Sequence, residues 1–329
     1  MLSLMLSMAT ANADSLEISA VRRVQDGLGT ASVTVSPFVS GHVTVALTCG
    51  SKRFSLDTAI AAYTPVTLEL PGLPRGTHAC VGTLDLRASD GSQGQMPLSI
   101  TVDVLPPLKL IADRASIDLS GQRVTVTGDR PLSKVVVQVF GPGGAEVGFG
   151  ETAGAGSTVV DLQWTGAGEA VKLVVDGYDM DGLPGRLELL PWSYAIPHED
   201  VVFPSNGDAI PPAEVPKLER AWAEVSAVLA KYGPVVEVRL FVAGYTDTVG
   251  GADSNQSLSE RRAKAIAAWF RQRGFKGPIA WQGFGEGVLA VGTPDETDEA
   301  ANRRALYLLA AEAPPISPEL PRSSWVNLP

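Results

Sequence analysis

Asp247 and Arg262 stand fifteen residues apart in the stretch Gly244–Ile266, GYTDTVGGADSNQSLSERRAKAI. The carboxylate sits in a run rich in Gly, Asp, Asn and Thr, and the guanidinium in a run with helical character. Opposite charges on two separate supports can close on each other as a structural salt bridge. They can instead grip a zwitterion, the carboxylate anchoring an ammonium group and the guanidinium forking onto a carboxylate. Spacing alone leaves both open. Arg261 and Lys264 read as solvated charges on the same helix.

The elements that must position this pair follow from periodicity and caps. Val235–Gly244, VVEVRLFVAG, reads as a strand, so Asp247 lies just past a strand's carboxyl end, where α/β sheets present ligand sites. Ser257 and Glu260 form a Ser-x-x-Glu capping box, which predicts a helix from Leu258 to about Arg273, stopped by Gly274. Arg262 then belongs to the first turn and a half, beside free amides and the positive helix end. Upstream, Val215, Leu218, Trp222, Val225 and Leu229 recur at intervals of 3, 4, 3 and 4, one buried stripe of a helix over 211–232. DVVFPSNGDAI reads as a strand leaving into a turn, and PIAWQGFG and ALYLLAA as further strands. Trp222 and Trp269 read as core. The order β-α-β-α-β-(α)-β puts helices against one mixed sheet, an α+β domain over residues 196–312. Residues 313–329, rich in Pro and Ser, read as an extended or disordered tail.

Residues 14–195 have a different grammar. Short alternating runs such as ASVTVS, HVTVALTC, PVTLELPG and KVVVQVFG are separated by turn signals, the pattern of an all-β chain. Leu105-Pro106-Pro107 divides them into 14–105 and 106–195 as a stiff extended linker. Each half ends on a turn, a strand and prolines. The turns at Asp90-Gly91 and Asp181-Gly182 repeat at an offset of 181 − 90 = 91 residues, the length of one β-sandwich. Two immunoglobulin-like or fibronectin-like sandwiches in tandem are the expectation. Asp179, Asp181, Gly182 and Glu188 echo a calcium loop, but position 1 is Gly177 and no helix flanks it, so a β-turn is the better reading.

The 329 residues are 45% hydrophobic and 19% charged, so the chain is not a disordered acidic polymer. A net charge of −10 argues against nucleic acid as a partner. Two cysteines, three histidines and no C-x-x-C pair make a zinc site improbable, and no metal or cofactor is called for. Cys49 and Cys80 both point into an apolar layer. They read either as buried thiols or, in an oxidising compartment, as a disulfide between two packed sheets. Residues 1–13, apolar and then Ala-rich without a basic region, read as the remnant of a signal peptide, hence export to a periplasm or cell envelope. No run is long and apolar enough for a transmembrane helix.

Taken together, GYTDTVG, NQSLSERRA, GFGE and Asn302-Arg303-Arg304 ahead of the last strand resemble the OmpA-like peptidoglycan-binding domain, over residues of about 198 to 312. The resemblance implies a ligand, the diaminopimelate of a Gram-negative stem peptide, clasped by Asp247 and Arg262. It also implies Asn255, Arg303 and, after the first strand, Asn206 near that ligand, with Arg304 structural. Tyr245 departs from the usual His, and Phe203-Pro204 from the usual Phe-Asp. The expectation is a non-catalytic wall-binding protein associated with the outer membrane, whose β-sandwiches meet an unidentified protein partner. A wall hydrolase using Asp247 and Glu286 as paired carboxylates, and an adhesion or scaffold protein acting through its sandwiches, are the alternatives.

Overall fold

The computed structural model describes residues 15–204, 207–322 and 324–329. The leader expected at 1–13 and the ligand residue expected at Asn206 lie outside the described residues. In Gly41–Cys49 the alternate residues Val43, Val45, Leu47 and Cys49 are buried, as period-two patterning requires. That strand lies between Lys52–Ile60 and Gly76–Ala88 in a five-stranded sheet. A three-stranded sheet of Leu16–Val21, Ala31–Pro37 and Val66–Leu70 supplies the rest of the same apolar cluster. The next unit repeats the plan. A three-stranded sheet (Leu110–Ile111, Arg123–Gly128, Val159–Gln163) and a five-stranded sheet centred on Leu132–Phe140 share a second cluster.

Cys49 and Cys80 are bonded to each other. The bridge between two sheets expected from sequence is corrected, because the two residues are register partners on neighbouring strands of one sheet, with Cα atoms 4.1 Å apart. Directly opposed residues of an antiparallel ladder project from the same face, so both sulfurs enter the core side by side.

The two β units are fastened at the expected linker. Asp179 accepts from the N–H groups of Asp181 and Leu183, both at 2.9 Å, and from Arg130 Nε at 2.6 Å. The suspected calcium turn therefore holds an arginine. Arg130 also donates to the Pro106 carbonyl at 3.1 Å and the Gln25 side chain at 3.3 Å, and Arg23 pairs with Asp181 across the joint. A second joint leads onward. Glu169 accepts from Tyr232 Oη at 2.7 Å and Lys231 Nζ at 3.1 Å, while Trp192 packs on the Tyr232 ring.

Beyond that joint the elements are β1 (Ser193–Ala195), α1 (Val215–Tyr232), β2 (Arg239–Gly244), α2 (Ala252–Arg273), β3 (Ile279–Gly283), β4 (Ala305–Ala310) and β5 (Val326–Asn327). They form one sheet in the order β1-β4-β2-β3-β5, with β2 and β3 parallel and every other pairing antiparallel. Leu218 and Val225 of α1 and Ile266 and Phe270 of α2 pack on Leu240, Val242, Tyr307 and Leu309 of the sheet. Among the described residues no helix is long and apolar enough to cross a membrane.

Four local expectations change. The strand expected around Asp200–Phe203 is absent, because Pro197 and Pro204 bracket it. Side chains take over the backbone bonding: Asp200 accepts from Ala305 N–H and Glu214 from Val202 N–H, each at 2.8 Å. The second helix begins at Ala252 with Gly251 as N-cap, so Ser257 and Glu260 are interior and form no capping box. The helix considered before β4 is a single 3-10 turn, Ala300–Asn302. The described residues after 312 include β5, which completes the sheet edge, and β1 extends the sheet on the other side of residue 196.

Candidate functional site

The parallel strands β2 and β3 end together at Gly244 and Gly283. Their following loops, starting at Tyr245 and Phe284, therefore emerge from the same end of the sheet. Helix α2 is drawn against that end by glycines. A Cβ on Gly244 would lie 2.5 Å from Ser259 O, and one on Gly283 2.4 Å from Ser259 Oγ. That hydroxyl accepts from Gly285 N–H at 2.9 Å, which locks the GFG turn to the helix.

Asp247 is 7% exposed and accepts from Arg303 Nη1 at 2.5 Å. Arg303 also pairs with Asp298. Asp247 and then Asp298 push its pKa above the ordinary guanidinium value. Arg262, 8% exposed, is placed differently from the sequence expectation. It lies ten residues into α2, roughly 15 Å along the axis from the helix start at 1.5 Å per residue. The helix N-terminus and Arg262 thus cannot grip one small group together. Arg262 donates to the carbonyls of Gly207 at 3.0 Å and Pro204 at 3.1 Å, and its guanidinium lies over the Phe203 ring. Neither carbonyl carries a charge to balance it. Burial lowers its pKa, partly offset by the field of Asp247.

Arg262 and Arg303 line one cavity of about 240 Å³, together with Asp200, Phe203, Tyr245 and Arg304. Val201 and Ile266 add apolar lining beside the three arginines. Asn255 is brought to the Asp247 loop with its amide nitrogen already engaged. Its amide donates to Glu286 Oε2 at 2.6 Å and to the Val249 carbonyl at 3.1 Å, so it shapes the loop. Glu286, the second carboxylate of the hydrolase alternative, is thereby bonded to Asn255 while Asp247 is bonded to Arg303. In Asn302-Arg303-Arg304 each residue has its own task. Asn302, fully buried, accepts from Ala290 and Val291 N–H and donates to the Val291 carbonyl. Arg304 lies 4.1 Å from the Tyr245 ring centroid.

Several residues of the site escaped sequence reasoning. Thr248 ties the Asp247 loop to the acidic loop by donating to Pro294 O at 2.8 Å and accepting from Thr297 N–H at 3.0 Å. Phe203 and Ser259 support Arg262 and the helix. Only the glycines around Ser259 carried a signal, as positions where a helix and a strand end approach closely.

The family model described as OmpA family matches residues 202–304. Those residues are an OmpA-family domain. Outer membrane protein A of Escherichia fergusonii is 32% identical over 108 residues, which cover 32% of this chain and 42% of that protein. Photosystem I P700 chlorophyll a apoprotein A2 of Gloeobacter violaceus is 31% identical over 158 residues, 45% of this chain and 16% of that protein. The chain thus spans less than half the length of these curated relatives. Among solved structures, the OmpA-like domain of FopA1 from Francisella tularensis aligns with 17% identity and a TM-score of 0.26, covering 44% of this chain and 77% of that one. At that score the likeness carries no argument. The OmpA-like match contains Asp247, Asn255, Arg262 and Arg303, and it stops short of β5.

Proposed function

We propose that the OmpA-like domain binds peptidoglycan without catalysis, through the zwitterionic end of diaminopimelate in the stem peptide. The observation that carries this reading is Arg262, a buried guanidinium with carbonyls and a ring for company, facing a cavity of about 240 Å³. Among the described residues Arg262 has no ion pair, a buried guanidinium held only by carbonyls is costly, and a ligand carboxylate would supply the pair. Arg303 adds a second cation and Asp247 an acceptor for the ammonium group. The outer-membrane relatives support a cell-wall-associated role in a Gram-negative envelope. In this reading the two β units are immunoglobulin-like spacers that hold the wall-binding end away from a protein partner.

The test is co-sedimentation with purified diaminopimelate-type sacculi. Binding predicts pelleting of the full chain without soluble muropeptides, and loss of pelleting in Arg262→Ala. Release of soluble fragments would replace this reading with the hydrolase. Failure of the wild-type chain to pellet would remove the wall as the ligand.

A further inference from the structure

Strand β2 is apolar at both parities. Leu240 and Val242 face the helices, whereas Phe241 and Ala243 point to the opposite face of the sheet. That face is covered by Leu320 and Trp325. Leu320 is buried against Ala243, Tyr245 and Phe284, and Trp325 meets Phe241 edge-on at 5.1 Å. The segment then pairs with β3 through β5, and Leu328 N–H donates to Ile279 O.

The polar attachments of this segment fall on residues that flank the ligand groups. Tyr245, two residues before Asp247 and itself lining the cavity, donates its hydroxyl to the Glu319 carbonyl at 2.8 Å. Its ring is stacked on Phe284 on one side and met by Arg304 on the other. Arg322 donates to Gln256 Oε1 at 2.7 Å and to the Gly283 carbonyl at 3.0 Å. Gln256 follows Asn255, whose amide shapes the Asp247 loop, and Gly283 is the end of β3. Both ends of the site are therefore held from behind by residues outside the family match.

We propose that the segment carrying Glu319, Leu320, Arg322 and Trp325 is a strap that sets the conformation of the Asp247 loop, with Tyr245 and Arg322 as positioning residues for the ligand. The proposal rests on the binding role assigned to the cavity above. A strap that stabilised the domain only as a whole would loosen every element together when cut. A positioning strap loosens the loop first.

The experiment uses the full chain with Tyr245→Phe, which removes one oxygen and keeps the ring, and with Arg322→Gln. Hydrogen exchange is followed over residues 245–256 and, as reference, over α1 and β4, alongside affinity for sacculi. Each variant should speed exchange over 245–256 by about fivefold, the equivalent of one hydrogen bond, with the reference unchanged and affinity reduced by a similar factor. Arg322→Lys should recover part of both. Unchanged exchange over 245–256 in both variants, or an equal rise in α1 and β4, would overturn the strap. Wild type that ignores sacculi would sink the binding role alone, because the exchange measurement judges the strap without any ligand.

Discussion

Arg303 Nη1 donates to Asp247 Oδ2 across 2.5 Å, joining the residue just before β4 to the loop after β2. The loop carboxylate thus already has a cation, and it is not the helical Arg262. The two arginines reach the cavity from different supports with different needs. Arg303 is shared between Asp247 and Asp298, whereas Arg262 has carbonyl partners at Gly207 and Pro204. A ligand carboxylate gains most at Arg262, and a ligand ammonium must share Asp247 with Arg303.

That asymmetry predicts selectivity. Free meso-diaminopimelate should bind more tightly than lysine by on the order of 10–100-fold, since a charge-assisted hydrogen bond contributes roughly 1.5–3 kcal/mol. Arg262→Ala should weaken diaminopimelate and abolish the preference. Arg262→Lys should rescue poorly, as an ammonium cannot fork onto a carboxylate. Calorimetric titration of both ligands decides it, and equal wild-type affinities would end the clasp model.

The close approach of α2 to the strand ends predicts a packing defect. Gly244→Ala would drive a methyl to 2.5 Å from the Ser259 carbonyl, and the backbone must move. Overpacking of this kind costs about 1–3 kcal/mol. Chemical unfolding should show that loss, whereas Gly292→Ala, with open space around its Cβ, should be nearly silent.

The disulfide predicts a redox-dependent stability. Cys49 and Cys80 close a loop with a sequence separation of 31. Its removal should destabilise the first β unit by about 3–4 kcal/mol in the chain-entropy picture. Thermal unfolding with and without reductant reads the change. Thiol labelling of denatured, unreduced protein should find neither cysteine free.

Glu214 predicts an acid-sensitive wall of the cavity. Its carboxyl is held below its ordinary value by Lys217 and then by the Val202 N–H. A lowered folded pKa means that its contribution is complete above the unfolded value and is lost as the pH falls through the folded one. Residues 201–203, which line the cavity, should therefore lose amide protection, taken relative to the intrinsic exchange rate at each pH, as the solution is acidified below pH 4.5, the ordinary value for this carboxyl. Glu214→Gln should show the faster exchange already at neutral pH. An exchange rate in that variant equal to wild type would refute the link.

How much of this was legible differs by element. Gly41–Cys49, Leu132–Phe140 and the stripe of α1 were readable because one face is buried and the period shows it. The partner sheet of Cys49 was not, since both a facing sheet and a neighbouring strand put sulfurs in the same layer. Helix α2 starts early because loop contacts through Asn255 hold its first turn, and no local cap announces it. The site residues Asp247, Arg262 and Arg303 do converge, but their pairing was hidden, because it depends on which arginine the fold brings nearest. Segment 313–329 looked unstructured by composition. Its two anchors, Leu320 and Trp325, are single residues, and the stronger hint lay elsewhere, in the apolar run Leu240–Ala243 that no one-sided sheet would need.

The contact of Glu169 with Tyr232 and Lys231 gives the second β unit and the OmpA-like domain a common plate. A joint held by a phenol, an ammonium and a stacked Trp192 resists bending more than a bare linker does. Tension arriving at Arg262 would travel along α2 and the sheet into that plate and become a turning moment on the β units.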